Sequence, residues 1–188
     1  MRVIGELHND VPLVVVALEE EAVAFPHGLS YVCTGPGKVA AAVASAWVLS
    51  RVRPSIVVNV GTAGGLHDHL EGLHEIASVA QHDLDVDALE AITGRPFERV
   101  ITLGSDGVRL VTGDAFVADP ETRAALARTA DLVDMEGYAV AAAAMRFGVP
   151  VRLVKFVSDS ADESAALDWP TQARVASTHL AGWIASSL

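Results

Sequence analysis

Apolar runs alternate with Ala-rich amphipathic stretches along this chain, and the alternation predicts strands and helices in turn. After Pro12, Leu13-Val14-Val15-Val16-Ala17 is a continuous β-branched run, the pattern of a strand buried on both faces. Residues 29–34 predict a second strand, and Gly35-Pro36-Gly37-Lys38 turns the chain into an Ala-rich helix over 39–52, with Trp47 and Leu49 as packing residues. Pro54 resets the chain before a buried strand at 56–60, which runs into a small-residue loop, Gly61-Thr62-Ala63-Gly64-Gly65-Leu66. Strands at 73–81, 99–103 and 109–112 follow, with a short helix at 86–92 between the first two. Asp119 and Pro120 have the character of an N-cap and first helical residue for a helix reaching Ala130. A short apolar run, Leu132 to Asp134, then meets a helix over 139–147. A strand at 151–157 ends in Ser158-Asp159-Ser160-Ala161-Asp162, and an amphipathic helix from Pro170 to Leu188 carries Trp183 and Ile184 inward.

Strands alternating with helices give the α/β class: a single domain, 1–188, with a central mixed, largely parallel β-sheet flanked by helices. In such sheets, side chains at the carboxyl ends of strands face the crevice where ligands bind. Leu132-Val133-Asp134-Met135-Glu136-Gly137-Tyr138 is the stretch around which the rest is organised. Its apolar run ends in carboxylates, and Gly137 lets the backbone turn into the next helix. Polar residues also close the other strands, at Glu19-Glu20-Glu21, from Asn59 to Gly65, from Thr112 to Val117, and at Ser158-Asp159. Each alone reads as a turn, a cap or a solvated acid. Five together in one small sheet point to a shared crevice.

Length and charge narrow the class. The 188 residues can bury a sizeable core, and an apolar content of 51% is that of a folded chain with a surplus suited to a subunit interface. A formal net charge of -11 without a basic cluster excludes nucleic acid and anionic membranes as partners. The single cysteine, Cys33, forms no internal disulfide, reads as a small core residue and suits a cytoplasmic location. The run at 13–18 is too short for a secretory leader, and the weakly polar tract at 39–49 is too short for a membrane span.

Taken in order, Ala17-Leu18-Glu19-Glu20-Glu21, Gly35-Pro36-Gly37-Lys38-Val39-Ala40-Ala41-Ala42, Asn59-Val60-Gly61-Thr62-Ala63-Gly64-Gly65-Leu66, Thr112-Gly113-Asp114-Ala115-Phe116-Val117, Val133-Asp134-Met135-Glu136-Gly137 and Val157-Ser158-Asp159 resemble the nucleoside phosphorylase/nucleosidase family. Within it they are most similar to the 5′-methylthioadenosine/S-adenosylhomocysteine nucleosidases. The resemblance implies a nucleoside phosphorylase-like fold, a small-molecule nucleoside substrate, no cofactor, no metal, and a homodimer. It also implies roles. Asp159, in the family's Ser158-Asp159 pair, delivers a proton to purine N7, and Glu21 acts as general base on the attacking water. Glu136 binds the ribose hydroxyls and faces the developing ribosyl cation. Met135 packs under the sugar, Phe116 stacks on the base, the Val117 backbone reads its edge, and Thr62 holds the water or the Glu21 carboxylate. An acid and a base on opposite sides of the scissile bond follow the logic of inverting glycosidases.

The chain departs from the family in places. Lys155 stands where the family usually has arginine, which keeps the charge and loses the bidentate fork that would help position water, and a salt-bridged strand lysine is an equal reading of it. The segments between Glu21 and Gly35 and between Leu66 and Gly107 are compressed, so the pocket for the 5′ substituent differs. Tyr138 replaces a small residue and is expected to pack in the core. His67, His69, His74 and His82 beside several aspartates have no standard metal-ligand spacing. Gly35 to Lys38 lacks the ending of a phosphate loop. Three alternatives to the hydrolase stay open: a phosphate-dependent phosphorylase, a futalosine-type hydrolase, and a nucleoside-binding protein without activity. An acidic triplet at Glu21 repels phosphate, which favours water as the nucleophile.

Overall fold

The computed structural model describes residues 1–159, 161 and 165–188. Nine strands form one mixed sheet. They are β1 (Arg2–Ile4), β2 (Pro12–Val16), β3 (Tyr31–Cys33), β4 (Ile56–Gly65), β5 (Gly72–Gln81), β6 (Val100–Thr102), β7 (Val108–Thr112), β8 (Leu132–Asp134) and β9 (Val151–Asp159). The helices are α1 (Lys38–Leu49), α2 (Val86–Thr93), α3 (Pro120–Leu126), α4 (Gly137–Arg146) and α5 (Ala165–Ser187), with a 3-10 turn at Glu19–Ala22. Strand β2 is the buried run expected from its β-branched residues. Alternate side chains go to opposite faces, as the pleat requires. Leu13, Val15 and Val57 pack with Val48 of α1 and Val140 and Ala144 of α4. Val14, Val16, Val58 and Val154 pack on the other side with Ala176, Leu180 and Ile184 of α5. Helices therefore cover both faces of the β2–β4–β9 part of the sheet.

Parallel pairs join β2 to β3 and β4, β4 to β9, and β7 to β5 and β8. Antiparallel pairs join β1 to β3, β4 to β8, β5 to β6 and β5 to β9. These pairings close a ring, β4–β9–β5–β7–β8 and back to β4, so a barrel is built into one end of the sheet. The closing step is short: Gly64 and Gly65 pair with Val133 and Leu132. A Cβ on Gly64 would meet that of Ala161 at 2.9 Å and a Val133 methyl at 3.2 Å, so backbones approach there only because a side chain is missing. The stretch from Gly61 to Gly65, expected as a loop, is thus the second half of β4. Small residues mimic loop composition where they serve close strand contact.

One other boundary shifts, and one packing expectation changes. Helix α5 starts at Ala165 and runs through Pro170, which the sequence marks as its start. Burial of Ala173, Ala176 and Leu180 against the sheet outweighs the local preference of proline. Trp47, expected to pack, is 40% exposed and lies under the Arg51 guanidinium, 3.8 Å from the ring centroid. Cys33 is buried and unpaired, and Tyr138 packs beside the cluster around Leu110, Leu132 and Leu153. Among the described residues no helix is long and apolar enough to cross a membrane.

Candidate active site

The exits of β2, β7, β8 and β9 and the second half of β4 surround one cleft of about 320 Å³. A purely parallel sheet is not what gathers them. Strands β2, β4 and β9 run together, and the antiparallel closure of β8 onto β4 swings the exits of β7 and β8 to the same mouth. Glu21, Thr62, Phe116, Val117, Met135, Glu136, Ser158 and Asp159 all line this cleft. Of the site residues expected from the sequence, Lys155 alone is not on its wall. Ser160 and Asp162 of the final motif lie outside the described residues.

Glu21 is carried by the 3-10 turn and is 3% exposed. Its Oε1 accepts the Thr62 amide at 2.7 Å and the Thr62 hydroxyl at 2.8 Å, while Oε2 accepts the Leu18 amide at 3.1 Å. Three donors on one carboxylate hold its plane, and Oε2, with one donor, keeps capacity to accept another proton. Gly61 makes room for this: a Cβ there would lie 3.1 Å from Glu21 Oε1 and 3.6 Å from Lys155 Nζ.

Lys155 is 1% exposed and bonds Asp134 Oδ2 at 2.8 Å. Burial works against its charge, but Asp134 and Glu136 outweigh that and raise its pKa above the ordinary lysine value. Of the two readings of Lys155, a cation near the water and a salt-bridged strand lysine, the second describes the contact it makes. Its ammonium lies behind the cleft, where it neutralises a carboxylate. The physical reason is reach and pairing: a lysine offers a point charge rather than a fork, and Asp134 takes it. Asp134 also accepts the Thr112 hydroxyl and the Gly137 amide, the latter at 2.8 Å. Gly137 itself is needed for space rather than for a turn, since a Cβ would meet Leu110 at 2.7 Å and Asp134 at 2.9 Å.

Glu136 immediately precedes α4 and is 8% exposed. Its Oε1 accepts the Gly37 amide at 2.7 Å. Burial and then the Asp134 charge push its pKa up to about 7, against the opposing pull of Lys155 and the Gly37 N–H. Gly37 has φ 89°, a left-handed conformation that aims its N–H into the cleft and favours glycine. The next amide, Lys38, donates to Asp114 Oδ1 at 2.7 Å, and Lys38 Nζ pairs with Asp83. The start of α1 thereby anchors the loop that presents Phe116, 48% exposed, and Val117, which is buried. Asp159 accepts the Ser158 hydroxyl on Oδ2 at 2.6 Å and the Ala161 amide on Oδ1 at 2.8 Å.

Trp169 of α5 also lines the cleft, and its indole N–H donates to the Thr62 hydroxyl at 3.2 Å. The sequence does not reveal this, because Pro170 has the character of a helix start and places Trp169 in a connector. Asp134 was within a recognised motif but had no expected part; a carboxylate on the last residue of a buried strand was the available signal. The histidines near the acidic loop scatter, His74 bonding the Glu71 carbonyl and His67 facing Asp131. Among the described residues no group of three His, Cys, Asp or Glu is placed to hold a metal.

The sequence matches the Phosphorylase superfamily over residues 26–90 and 74–186. It is 33% identical over 175 residues to the 5′-methylthioadenosine/S-adenosylhomocysteine nucleosidase of Bacillus subtilis, covering 78% of this chain and 76% of that protein. The nucleosidase of the same name from Shewanella halifaxensis is 27% identical over 204 residues, 89% of each chain. The nucleosidase structure from Neisseria meningitidis in complex with methylthio-immucillin-A has a TM-score of 0.77 at 26% identity, covering 94% of this chain and 99% of that one. Futalosine hydrolase of Helicobacter pylori shares the fold, with a TM-score of 0.79 at 21% identity over 94% of this chain and 96% of that one.

Proposed function

Since this chain belongs to the phosphorylase superfamily, we propose that it is a purine nucleoside N-ribohydrolase acting on a nucleoside of the 5′-methylthioadenosine/S-adenosylhomocysteine type. The observation that carries the choice of water over phosphate is the charge of the cleft. Glu21, Asp134, Glu136 and Asp159 line it, and among the described residues its wall has no lysine, arginine or histidine. A phosphorylase needs cations around its phosphate. Lys155, whose Nζ lies 3.6 Å from where a Cβ on Gly61 would stand, is held by Asp134.

In this reading water attacks C1′ as the bond from C1′ to the purine nitrogen breaks. The water proton passes to Glu21 Oε2, and Asp159 supplies a proton to N7, so the base leaves neutral. Glu136 accepts the ribose hydroxyls through the oxygen not taken by Gly37, and its charge in the ionised form favours the ribosyl cation. Met135 lies under the sugar, Phe116 stacks on the base, the Val117 backbone meets the base edge, and Ser158 orients Asp159. Names of relatives at 33% and 27% identity support the substrate type. The test is release of base from methylthioadenosine, S-adenosylhomocysteine, adenosine, inosine and futalosine, with and without phosphate. Turnover unaffected by phosphate and highest with the first two is expected. Turnover that requires phosphate, or that is confined to futalosine, would replace this reading.

Glu136 adds a pH dependence. With its pKa raised to about 7, the carboxyl is neutral below that pH and charged above it. The charged form is the better acceptor for ribose hydroxyls, so KM should rise as pH falls from about 8 to about 5. Stability runs the other way. A folded pKa above the unfolded one favours the fold at low pH, and that contribution is lost as pH rises through about 7. Glu136→Gln, which keeps an acceptor for Gly37, should therefore melt above the wild type at about pH 8 and converge with it near about pH 5. A variant that melts lower at both pH values would contradict the raised pKa.

We read residues 1–188 as one such domain, in a cytoplasmic protein whose single buried thiol suits a reducing compartment. A homodimer is supported by an apolar stripe on α1, where Val39, Val43 and Trp47 are 74%, 64% and 40% exposed at successive helical turns. A monomer in sedimentation would remove that part.

A further inference from the structure

We propose that Trp169 is a positioning residue for the hydrolytic step, its indole N–H locking the Thr62 hydroxyl proton onto Glu21. The proposal rests on the hydrolase reading above, and it concerns which oxygen of the base is free to work. An indole nitrogen only donates. Its 3.2 Å contact with Thr62 Oγ1 therefore makes that oxygen the acceptor. The hydroxyl's one proton must then point elsewhere, and Glu21 Oε1 lies 2.8 Å away. With the Thr62 amide already on the same oxygen at 2.7 Å, Oε1 is saturated. The proton from water goes to Oε2, which carries only the Leu18 amide. Without the indole N–H, only Glu21 holds the hydroxyl's rotation, and its proton becomes free to leave for another acceptor such as water in the cleft.

The same helix holds the base from a second side. Ser177, on α5 two turns beyond Trp169, is fully buried and accepts the Ala24 amide at 2.8 Å, just past the 3-10 turn that carries Glu21. Helix α5 thus fixes the backbone of the base through Ser177 and its protonation geometry through Trp169.

Trp169→Phe separates the bond from the ring, since phenylalanine still fills the cleft wall. We expect kcat for methylthioadenosine to fall about 3- to 10-fold, the equivalent of one net hydrogen bond, with KM unchanged within about twofold. Because Trp169 acts through Thr62, the same substitution should cost nothing further in a Thr62→Ala background. Independent, multiplicative losses, or a higher KM at unchanged kcat, would each overturn the proposal. One readout does not depend on turnover: the indole 15N–1H resonance of Trp169 should shift upfield in Thr62→Ala, and an unshifted resonance means that the bond does not exist. A wild-type chain that releases no base from any nucleoside would sink the hydrolase reading and the catalytic part of this proposal, while the resonance still decides whether the clamp is present.

Discussion

Glu21→Gln is expected to lower kcat about 10²- to 10⁴-fold, the usual worth of a positioned general base, while binding of an uncleaved nucleoside analogue changes little. The substitution is nearly isosteric, so the loss is chemical rather than steric. The geometry fixes which way the amide goes. Its oxygen must face the two donors of Thr62, because an NH2 there would oppose both. That leaves the NH2 where Oε2 now accepts the Leu18 amide, so the group that should take the water proton becomes a donor and also faces a donor. The variant should fold, with a modest loss of melting temperature from the mismatched Leu18 contact. If it kept kcat within about threefold of the wild type, Glu21 would not be the base. If it were inactive and also bound nothing, Glu21 would be a binding residue instead. The measurement is therefore a pair: single-turnover base release and equilibrium binding on the same preparation.

The parts of this site that could be read in the sequence share a physical property. Local pattern records how a residue is buried by its own element. The β-branched run at Val14 to Val16 could hardly be other than a two-sided strand, and Asp119 with Pro120 does cap α3, its carboxylate accepting the Thr122 amide at 2.8 Å. The order of short motifs around Glu21, Thr62, Phe116, Glu136 and Asp159 then indicated one cleft, and all five residues line it. What escaped depends on contacts between distant segments. Gly61 to Gly65 has the composition of a loop, and only the closure of β8 onto β4 makes it strand. Lys155 reads as a salt-bridged strand lysine as readily as a site cation, and nothing near it in sequence reveals that Asp134 is the partner. Trp169 precedes a proline, a local signal for extended backbone, and becomes a cleft residue because α5 is held down by Ala173, Ala176 and Leu180 farther along.

Asp159→Asn should abolish turnover of adenine nucleosides by a similar factor, about 10²- to 10⁴-fold, while leaving ligand affinity largely intact. The site tolerates the change. The Asn oxygen can keep the Ala161 amide now 2.8 Å from Oδ1, and its NH2 can donate to Ser158 Oγ by rotation of that hydroxyl. Only the transferable proton is lost. An acid matters in proportion to how badly the leaving group needs a proton. A purine leaves poorly as an anion, whereas a ribosyl substrate with a nitrophenolate leaving group needs no protonation at all. Such a substrate should be cleaved by Asp159→Asn at close to the wild-type rate and should still fail with Glu21→Gln, since water must be deprotonated in either case. That crossed pattern assigns acid and base separately, which loss of activity alone cannot do. Equal losses on both substrates in Asp159→Asn would mean that Asp159 orients the sugar or the base and donates no proton. Retained activity on methylthioadenosine would take it out of the chemistry and leave protonation of the base to solvent or to Glu136, whose carboxyl is protonated below about pH 7.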